Sequence, residues 1–414
     1  MEWRSMVVKD KLISQMLQAS LQLYRNAYSG LSKPMWWLAF VIFINRSGTL
    51  VIPFLTVYLI HRGFTLEEAG YVMGAFGTGA ILGGYLGGRL TDRFGHFYVQ
   101  VFSLLMNGIL FIVLGQMQTL TQLVICIFVL SSLGEAFRPA NSAAIAAYSN
   151  ESNRTRCYSL NRLAINLGWS VGPAIGGILA SVSYSLLFWA DGLTCVLASL
   201  VLYIVFAHDK NLHPQKQKEI EHNKENSAYR DKIFLSGMFY IFLVGICFFQ
   251  MFSILPVYYK EQLHLNEAVI GWLLAMNGLI IAVVEMVLVY KLENRRNAVL
   301  YMTLGAFLIG ASFLILNVSS ILLVALISMM VVTLGEMFLF PFMNNFWVSR
   351  STERTRGQYA AVYTMSFSLA MVMAPTIAAQ IAARAGFPIL WVFDFVLCIF
   401  AALGFYFLKK RMFT

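Results

Sequence analysis

Hydrophobic and polar positions along this chain alternate on the scale of whole segments rather than single residues. Twelve apolar stretches are long enough to cross a bilayer, which takes about 20 residues each as helix. They run roughly 35–60, 69–90, 98–117, 120–147, 158–181, 184–207, 233–259, 268–290, 298–316, 319–347, 358–382 and 387–408. The pattern predicts an all-α membrane protein, because helices satisfy their own backbone hydrogen bonds in hydrocarbon. Between the sixth and seventh stretches lies a polar segment rich in Lys, Glu, Asn and Gln. The chain therefore divides into an N-terminal segment 1–33, a six-helix half 34–207, a linker 208–232 and a second half 233–414. Before the first span, Val8, Leu12, Met16, Leu23 and Tyr24 share a face among Lys9, Lys11 and Arg25, as in a helix lying on a membrane surface. That segment lacks the continuous apolar core and small-residue cleavage site of a secretion signal.

The two halves are related. Gly134-Glu135-Ala136-Phe137 returns 201 residues later as Gly335-Glu336-Met337-Phe338. Arg154-Thr155-Arg156 returns as Arg354-Thr355-Arg356 and Pro173 as Pro375. Gly70, Gly77, Asp191 and Cys195 correspond to Gly271, Gly278, Asp394 and Cys398. A duplication of six helices into two pseudo-symmetric halves is the expected architecture, one shared by transporters that rock about a midplane site.

Composition agrees: 59% hydrophobic residues and 12% charged, against about 25% charged in a soluble domain. The net charge of +10 is a matter of topology, not of nucleic-acid binding. Of 30 Lys and Arg, 24 fall on the N-terminal segment, the even-numbered connections and the C-terminus. Arg62, Lys260 and Arg384 lie on the other side, and Arg46, Arg138 and Arg162 lie within spans. This asymmetry predicts both termini and the linker in the cytoplasm, and a bacterial inner membrane is the expected location. The five cysteines are scattered without a C-x-x-C pair, so neither a disulfide framework nor a zinc site is expected. No nucleophile–base pair suggests an enzyme.

Charges inside the membrane are the candidate chemistry. Each costs at least ~2.5–3.5 kcal/mol at the bilayer centre and is a functional hypothesis by default. Span one carries Arg46, span four Glu135 and Arg138, span eight Glu285 and span ten Glu336. Glu135 and Arg138, three residues apart, share a helical face and are expected to pair, with Pro139 bending the helix beyond them. Glu285 and Glu336 have no basic neighbour on their own spans, so Glu135, Glu285 and Glu336 are proton-carrying candidates, with Glu336 taking a proton more readily than Glu135. A purely structural ion pair or hydrogen-bond knot is the competing reading for each. Arg162 is read as reaching the membrane surface, and Asp191 and Asp394 as interfacial. Among aromatics, Tyr58, Trp169, Phe249, Trp272 and Phe340 are candidates to line a cavity.

After span two comes Gly88-Arg89-Leu90-Thr91-Asp92-Arg93-Phe94-Gly95. It resembles the G-x-L-A-D-R-x-G-R-K signature of the major facilitator superfamily at Gly88, Leu90, Asp92, Arg93 and Gly95, and departs from it at His96 and Phe97. Asp92 is expected at a helix N-terminus and Arg93 to pair across the gap between halves, and the resemblance implies a conformational latch on the cytoplasmic side. In span five, Gly168, Gly172, Pro173, Gly176 and Gly177 form a small-residue run suited to close helix packing. It is similar to the run in drug–proton antiporters of that superfamily, although Leu130 stands where their span-four arginine would be. Other residues resemble proton-coupled oligopeptide transporters: Arg46, Tyr58-Leu59, Arg138-Pro139, Asn166-Leu167-Gly168 and Gly335-Glu336 before Pro341, with Ile42 and Asn45 replacing that group's span-one acids. Asn45, Tyr58 and Asn166 thereby join Arg46 and Arg138 as charge partners or substrate contacts.

These features predict alternating access around a cavity bordered by spans one, four, five, seven, eight, ten and eleven. The first expectation is proton-coupled efflux of small amphipathic, drug-like compounds by a monomer that uses the proton gradient and no cofactor, with membrane lipids, protons and the substrate as partners. Proton-coupled uptake of peptide-like or zwitterionic solutes is the alternative, and a non-transporting receptor or scaffold a third class.

Overall fold

The computed structural model describes residues 30–150, 153–207, 227–292, 298–351 and 355–413. The amphipathic segment up to residue 29, most of the linker and Arg354 fall outside them. Twelve helical spans follow one another. In the first half they are α1 (Lys33–His61), α2 (Leu66–Phe94), α3 (His96–Leu114), α4 (Leu120–Tyr148), α5 (Arg154–Val182) and α6 (Tyr184–Phe206). In the second they are α7 (Lys232–Phe249, continued by Leu255–Glu261), α8 (Glu267–Leu292), α9 (Ala298–Ile315), α10 (Leu322–Arg350), α11 (Arg356–Ala385) and α12 (Phe387–Phe413). Eleven are long and apolar enough to cross a membrane by composition. The glycine-rich α2, with Glu67, Glu68, Arg89, Asp92 and Arg93, is the one that is not. An even number of spans puts both ends of the bundle on one face, here the termini face.

Three spans are broken, and prolines explain where. Proline has no N–H for the carbonyl four residues earlier. Pro53 follows the break between Lys33–Ser47 and Ile52–His61 in α1, and Pro256 follows the corresponding break in α7. Pro139 leaves the Glu135 carbonyl without its usual donor, and α4 breaks at Ala136 rather than beyond the proline as the sequence suggested. By contrast α5, α10 and α11 run through Pro173, Pro341 and Pro375.

The halves meet along α5 with α8 and α2 with α11. Small residues allow this: a Cβ on Gly271 would collide with the Pro173 carbonyl, and one on Gly177 with the Glu267 carbonyl. On α2, Gly70, Gly74 and Gly77 lie against Pro375, Thr376, Ala379 and Val372 of α11. Toward the termini face, Gly84 and Gly88 of α2 have nothing within 4 Å. The halves thus close at the far face and diverge toward the termini face. Thr376 donating to the Gly70 carbonyl (3.2 Å) and Arg384 reaching Glu67 (3.4 Å) add polar contacts to the closed side. There too, the Tyr184 hydroxyl donates to Glu267 (2.5 Å), which also pairs with Lys260 (2.8 Å).

Near the termini face the second half is clamped by Asp231. Its carboxylate caps α7 through the Phe234 N–H (3.0 Å), and it accepts two bonds from Arg350 (2.8 and 2.9 Å) and one from the Tyr359 hydroxyl (3.0 Å). Burial opposes the charge, but the Arg350, Phe234 and Tyr359 donors outweigh it and hold the carboxyl below its usual range. The sign follows: the clamp's stabilisation is complete above the ordinary aspartate value of about 3.9 and is lost as pH falls through the lowered folded value. Thermal unfolding in detergent should therefore show Asp231→Asn less stable by about 1–3 kcal/mol at neutral pH, with the difference from wild type shrinking only below about pH 4.

Candidate functional site

A cavity of ≈ 440 Å³ lies mostly within the first half, walled by residues of α1 to α6 and completed from the second half by Phe249, Phe252, Met371 and Pro375. The expected border is corrected, because α8 and α10 do not line it and α2, α3 and α6 do. Arg46, Glu135, Arg138, Asn45, Asn107, Asn141 and Asn161 supply its polar wall, and Phe111, Trp169, Phe249 and Phe252 much of its apolar wall. Each charged group arrives by a local device. Arg46 sits in the last turn of the first piece of α1, next to the break. Gly168 and Gly172 of α5 lie directly against the Arg46–Thr49 backbone, so the span-five glycines allow α5 to seat the turn that carries Arg46. Further along, Gly176 faces Leu50 and Phe54, and Gly177 faces the other half. Glu135 ends the first piece of α4, and Arg138 lies in the first turn of the second, which opens at Phe137. The two pair at 2.8 Å, and Glu135, Arg138 and Asp191 all act electrostatically on Arg46. The cavity is a cationic–anionic pocket with aromatic sides, able to hold an amphipathic solute that carries charge.

A second cluster lies outside this cavity. Arg162 of α5 bonds Glu285 of α8 across the two halves. The Glu285 side chain is 10% exposed and that of Arg162 44%. The sequence reading of Arg162 as a surface-reaching side chain is thus corrected: α5 and α8 pack closely enough to give it a carboxylate partner 123 residues later in the chain. Glu336 on α10 is buried, accepts from the Asn277 amide (2.7 Å), and feels the charge of Glu285. Asn277 also reaches the Thr333 hydroxyl (3.0 Å). Neither Glu285 nor Glu336 lines the cavity, while Glu135 does.

Other placements also change the sequence reading. Asp191 and Asp394, expected to be interfacial, are buried inside the protein, 1% and 0% exposed. Asp191 Oδ2 accepts the Leu50 and Val51 N–H groups (3.1 and 3.0 Å), capping the second piece of α1. Asp394 accepts from Gln250 at the α7 break (2.7 Å). The equal spacing of Pro53 from Pro256 and of Asp191 from Asp394 was the available signal. Tyr58 does not line the cavity: its ring packs on Tyr184 and Phe188, and its hydroxyl accepts from Arg62 (3.0 Å). Asn166 lies outside the cavity wall as well, whereas Asn45 is in it, donating to Cys195 Sγ (3.6 Å). Of the remaining aromatics, Trp272 is 61% exposed on the outer surface and Phe340 packs on Phe248 and Phe367.

Of the residues expected to form a latch, Gly88, Asp92 and Arg93 lie in α2 and Gly95 in the α2–α3 turn. Gly95 has φ +85°, a left-handed conformation that favours glycine. Asp92 lies in the last turn of α2, not at a helix N-terminus, and both it and Arg93 are exposed. Arg93 stacks over Phe94 (5.2 Å) and Arg89 over Tyr85 (4.5 Å). Among the described residues no hydrogen bond or ion pair carries Arg93 across the gap, because the halves have separated at this face. Nor do the described residues hold any His, Cys, Asp and Glu cluster fit for a metal ion.

A multi-pass bundle of two six-helix halves around a charged cavity defines a membrane transport protein. The chain belongs to the Major Facilitator Superfamily, whose family model matches residues 35–375, and it is a transporter rather than an enzyme. It is 26% identical to a Na(+), Li(+), K(+)/H(+) antiporter of Planococcus maritimus over 80% of this chain and 85% of that protein. It is 27% identical to the quinolone resistance protein NorA of Staphylococcus aureus over 43% of this chain and 46% of that one. Among solved structures, a POT family transporter in complex with a thioalcohol-conjugated peptide superposes with TM-score 0.78 at 15% identity, covering 94% of this chain and 98% of that one. At that identity the likeness is one of fold.

Proposed function

We propose that this transporter exports small amphipathic compounds in exchange for protons, with the termini face toward the cytoplasm of a bacterial inner membrane. The observation that carries the reading is the Arg162–Glu285 bridge between the halves, with Glu336 coupled to Glu285 and held by an amide instead of a cation. A proton on Glu285 removes the charge that Arg162 holds, and a proton on Glu336 removes its repulsion of Glu285. Either event biases the α5–α8 contact on which the two halves turn, which is how a proton shifts a two-state equilibrium. The state described here, open on the termini face with the bridge formed, is the deprotonated, substrate-loading state. The substrate meets Arg46, Glu135, Arg138 and the aromatic wall, and the proton sites lie apart from it. Antiport of Na(+), Li(+) or K(+) against H(+) is the activity named for the Planococcus relative, and quinolone resistance that for the Staphylococcus one.

The peptide reading requires Arg46 and an acid of the second half to face one cavity, and Glu336 is turned away toward Asn277. Proteoliposomes distinguish the two. An imposed pH gradient should drive lipophilic cations against their own gradient, while di- and tripeptides show no counterflow. Saturable peptide exchange without cation movement would overturn the export reading.

A further inference from the structure

The break in α7 holds a pair of buried polar groups that the transport cycle above does not use. Asp394 and Gln250 are both 0% exposed. Gln250 Nε2 donates to Asp394 Oδ1 at 2.7 Å. The two remaining oxygens of the pair, Asp394 Oδ2 and Gln250 Oε1, are buried without a hydrogen-bond partner. As carboxylate and amide carbonyl, both are acceptors only, and a buried acceptor left unmade is costly. A carboxylic acid and a primary amide, however, complete each other: the amide N–H bonds one acid oxygen, and the acid O–H bonds the amide oxygen. One proton on Oδ2 converts both orphan acceptors into a single hydrogen bond.

The first half shows what a charged aspartate receives at the same place. Asp191 Oδ2 takes the N–H groups of Leu50 and Val51. Their counterparts 203 residues on, Ser253 and Ile254, instead give their N–H groups to the Gln250 main-chain carbonyl (3.2 and 2.9 Å). The duplicated acid has lost the two donors that suit an anion and keeps one amide that suits an acid. Among the described residues no charged group compensates. Besides burial, the groups that act on Asp394 are Gln250 and Cys247, the latter beside Cys398 on α12. Of the titratable groups on the elements packed against α12, Tyr301 of α9 faces Phe338 and Phe342, and Tyr240 of α7 faces Phe400 and Phe405. In the second piece of α7, Tyr258 packs on Phe387 and Trp391 and donates to the Leu316 carbonyl, and Tyr259 packs on Tyr258. Tyr359 and Arg384 of α11 are taken by Asp231 and Glu67, and Tyr363 stacks on Trp347.

We propose that Asp394 and Gln250 form a proton-binding site at the α7 break, the proton held on Asp394 Oδ2 and donated to Gln250 Oε1. It is separate from the cavity and from the Arg162–Glu285–Glu336 cluster, and it holds whether or not the export reading does. Loss of the proton sets a carboxylate oxygen against the amide carbonyl and loosens the joint between the two pieces of α7.

Infrared difference spectroscopy on the detergent-purified full-length protein tests this. At neutral pH a protonated-carboxyl C=O band should be present, shift in heavy water, and be lost in Asp394→Asn. That variant should unfold thermally no earlier than wild type, because its amide both donates and accepts toward Gln250. In Gln250→Leu the same band should move to higher frequency as the acid loses its partner. A folded Asp394→Asn protein with every protonated-carboxyl band intact, or a Gln250→Leu protein with no shift, would overturn the proposal.

Discussion

Replacing Glu336 with glutamine should uncouple substrate binding from pH while leaving the fold intact. Glutamine keeps an oxygen to accept the Asn277 amide now bonded at 2.7 Å, and it fills nearly the same buried volume. What it removes is the exchangeable proton and the electrostatic link to Glu285. Coupling between two ligands is worth about 1–3 kcal/mol, or roughly 5–150-fold in affinity. The measurable form of the prediction is a ratio of substrate dissociation constants in detergent at acid and alkaline pH. Wild type should give a ratio within that range, and Glu336→Gln a ratio near one, with gradient-driven transport lost in proteoliposomes and downhill counterflow retained. A variant with the wild-type ratio and full uphill transport would remove Glu336 from the coupling scheme. Glu135→Gln is expected to act differently: Glu135 lines the cavity and pairs with Arg138, so its loss should weaken substrate binding at every pH.

The second large effect is expected at Arg162. Truncation to alanine leaves the Glu285 carboxylate, 10% exposed, without its cation. Breaking a fully buried pair costs about 3–5 kcal/mol, but Arg162 is itself 44% exposed in the gap between halves. Water there screens the pair, so about 1–3 kcal/mol is the expected loss. Because the bridge spans the halves, the loss should appear both as a lower unfolding temperature and as a shift in distances between labels placed on α5 and α8. Neutralising the partner tests the cause. Arg162→Ala combined with Glu285→Gln should recover most of the stability, giving a coupling term in a double-mutant cycle. If the double variant were no more stable than Arg162→Ala alone, the bridge would be incidental to the contact.

Much of the fold was legible because hydrocarbon is an unforgiving solvent. A stretch of apolar residues such as 298–316 has one stable way to satisfy its backbone there, and α9 runs Ala298–Ile315. Helix breaks were less legible: Pro53 and Pro256 follow breaks, but α5, α10 and α11 run through Pro173, Pro341 and Pro375. The candidate charges were legible, because an ionisable group in an apolar run stands out at any position. Their partners were not legible. Arg162 looked like a residue near a helix end, because its distance from the end of span five is visible in one dimension and its distance from Glu285 is not. Asp191 and Asp394 looked interfacial because they fall early in their spans, and nothing local shows that a break in another helix brings donors to meet them.

The sequence by itself determined twelve spans, two duplicated halves and the identity of the costly groups, all of which depend on how a residue fits the lipid. Tertiary structure decided which groups meet: Arg46 with Glu135 and Arg138 at a cavity, Arg162 with Glu285 across the halves, and Glu336 with an amide alone. Those pairings depend on the glycine contacts that bring α5 against α1 and α8. Periodicity reveals which face of a helix is polar, but only packing selects the helix that the face will meet.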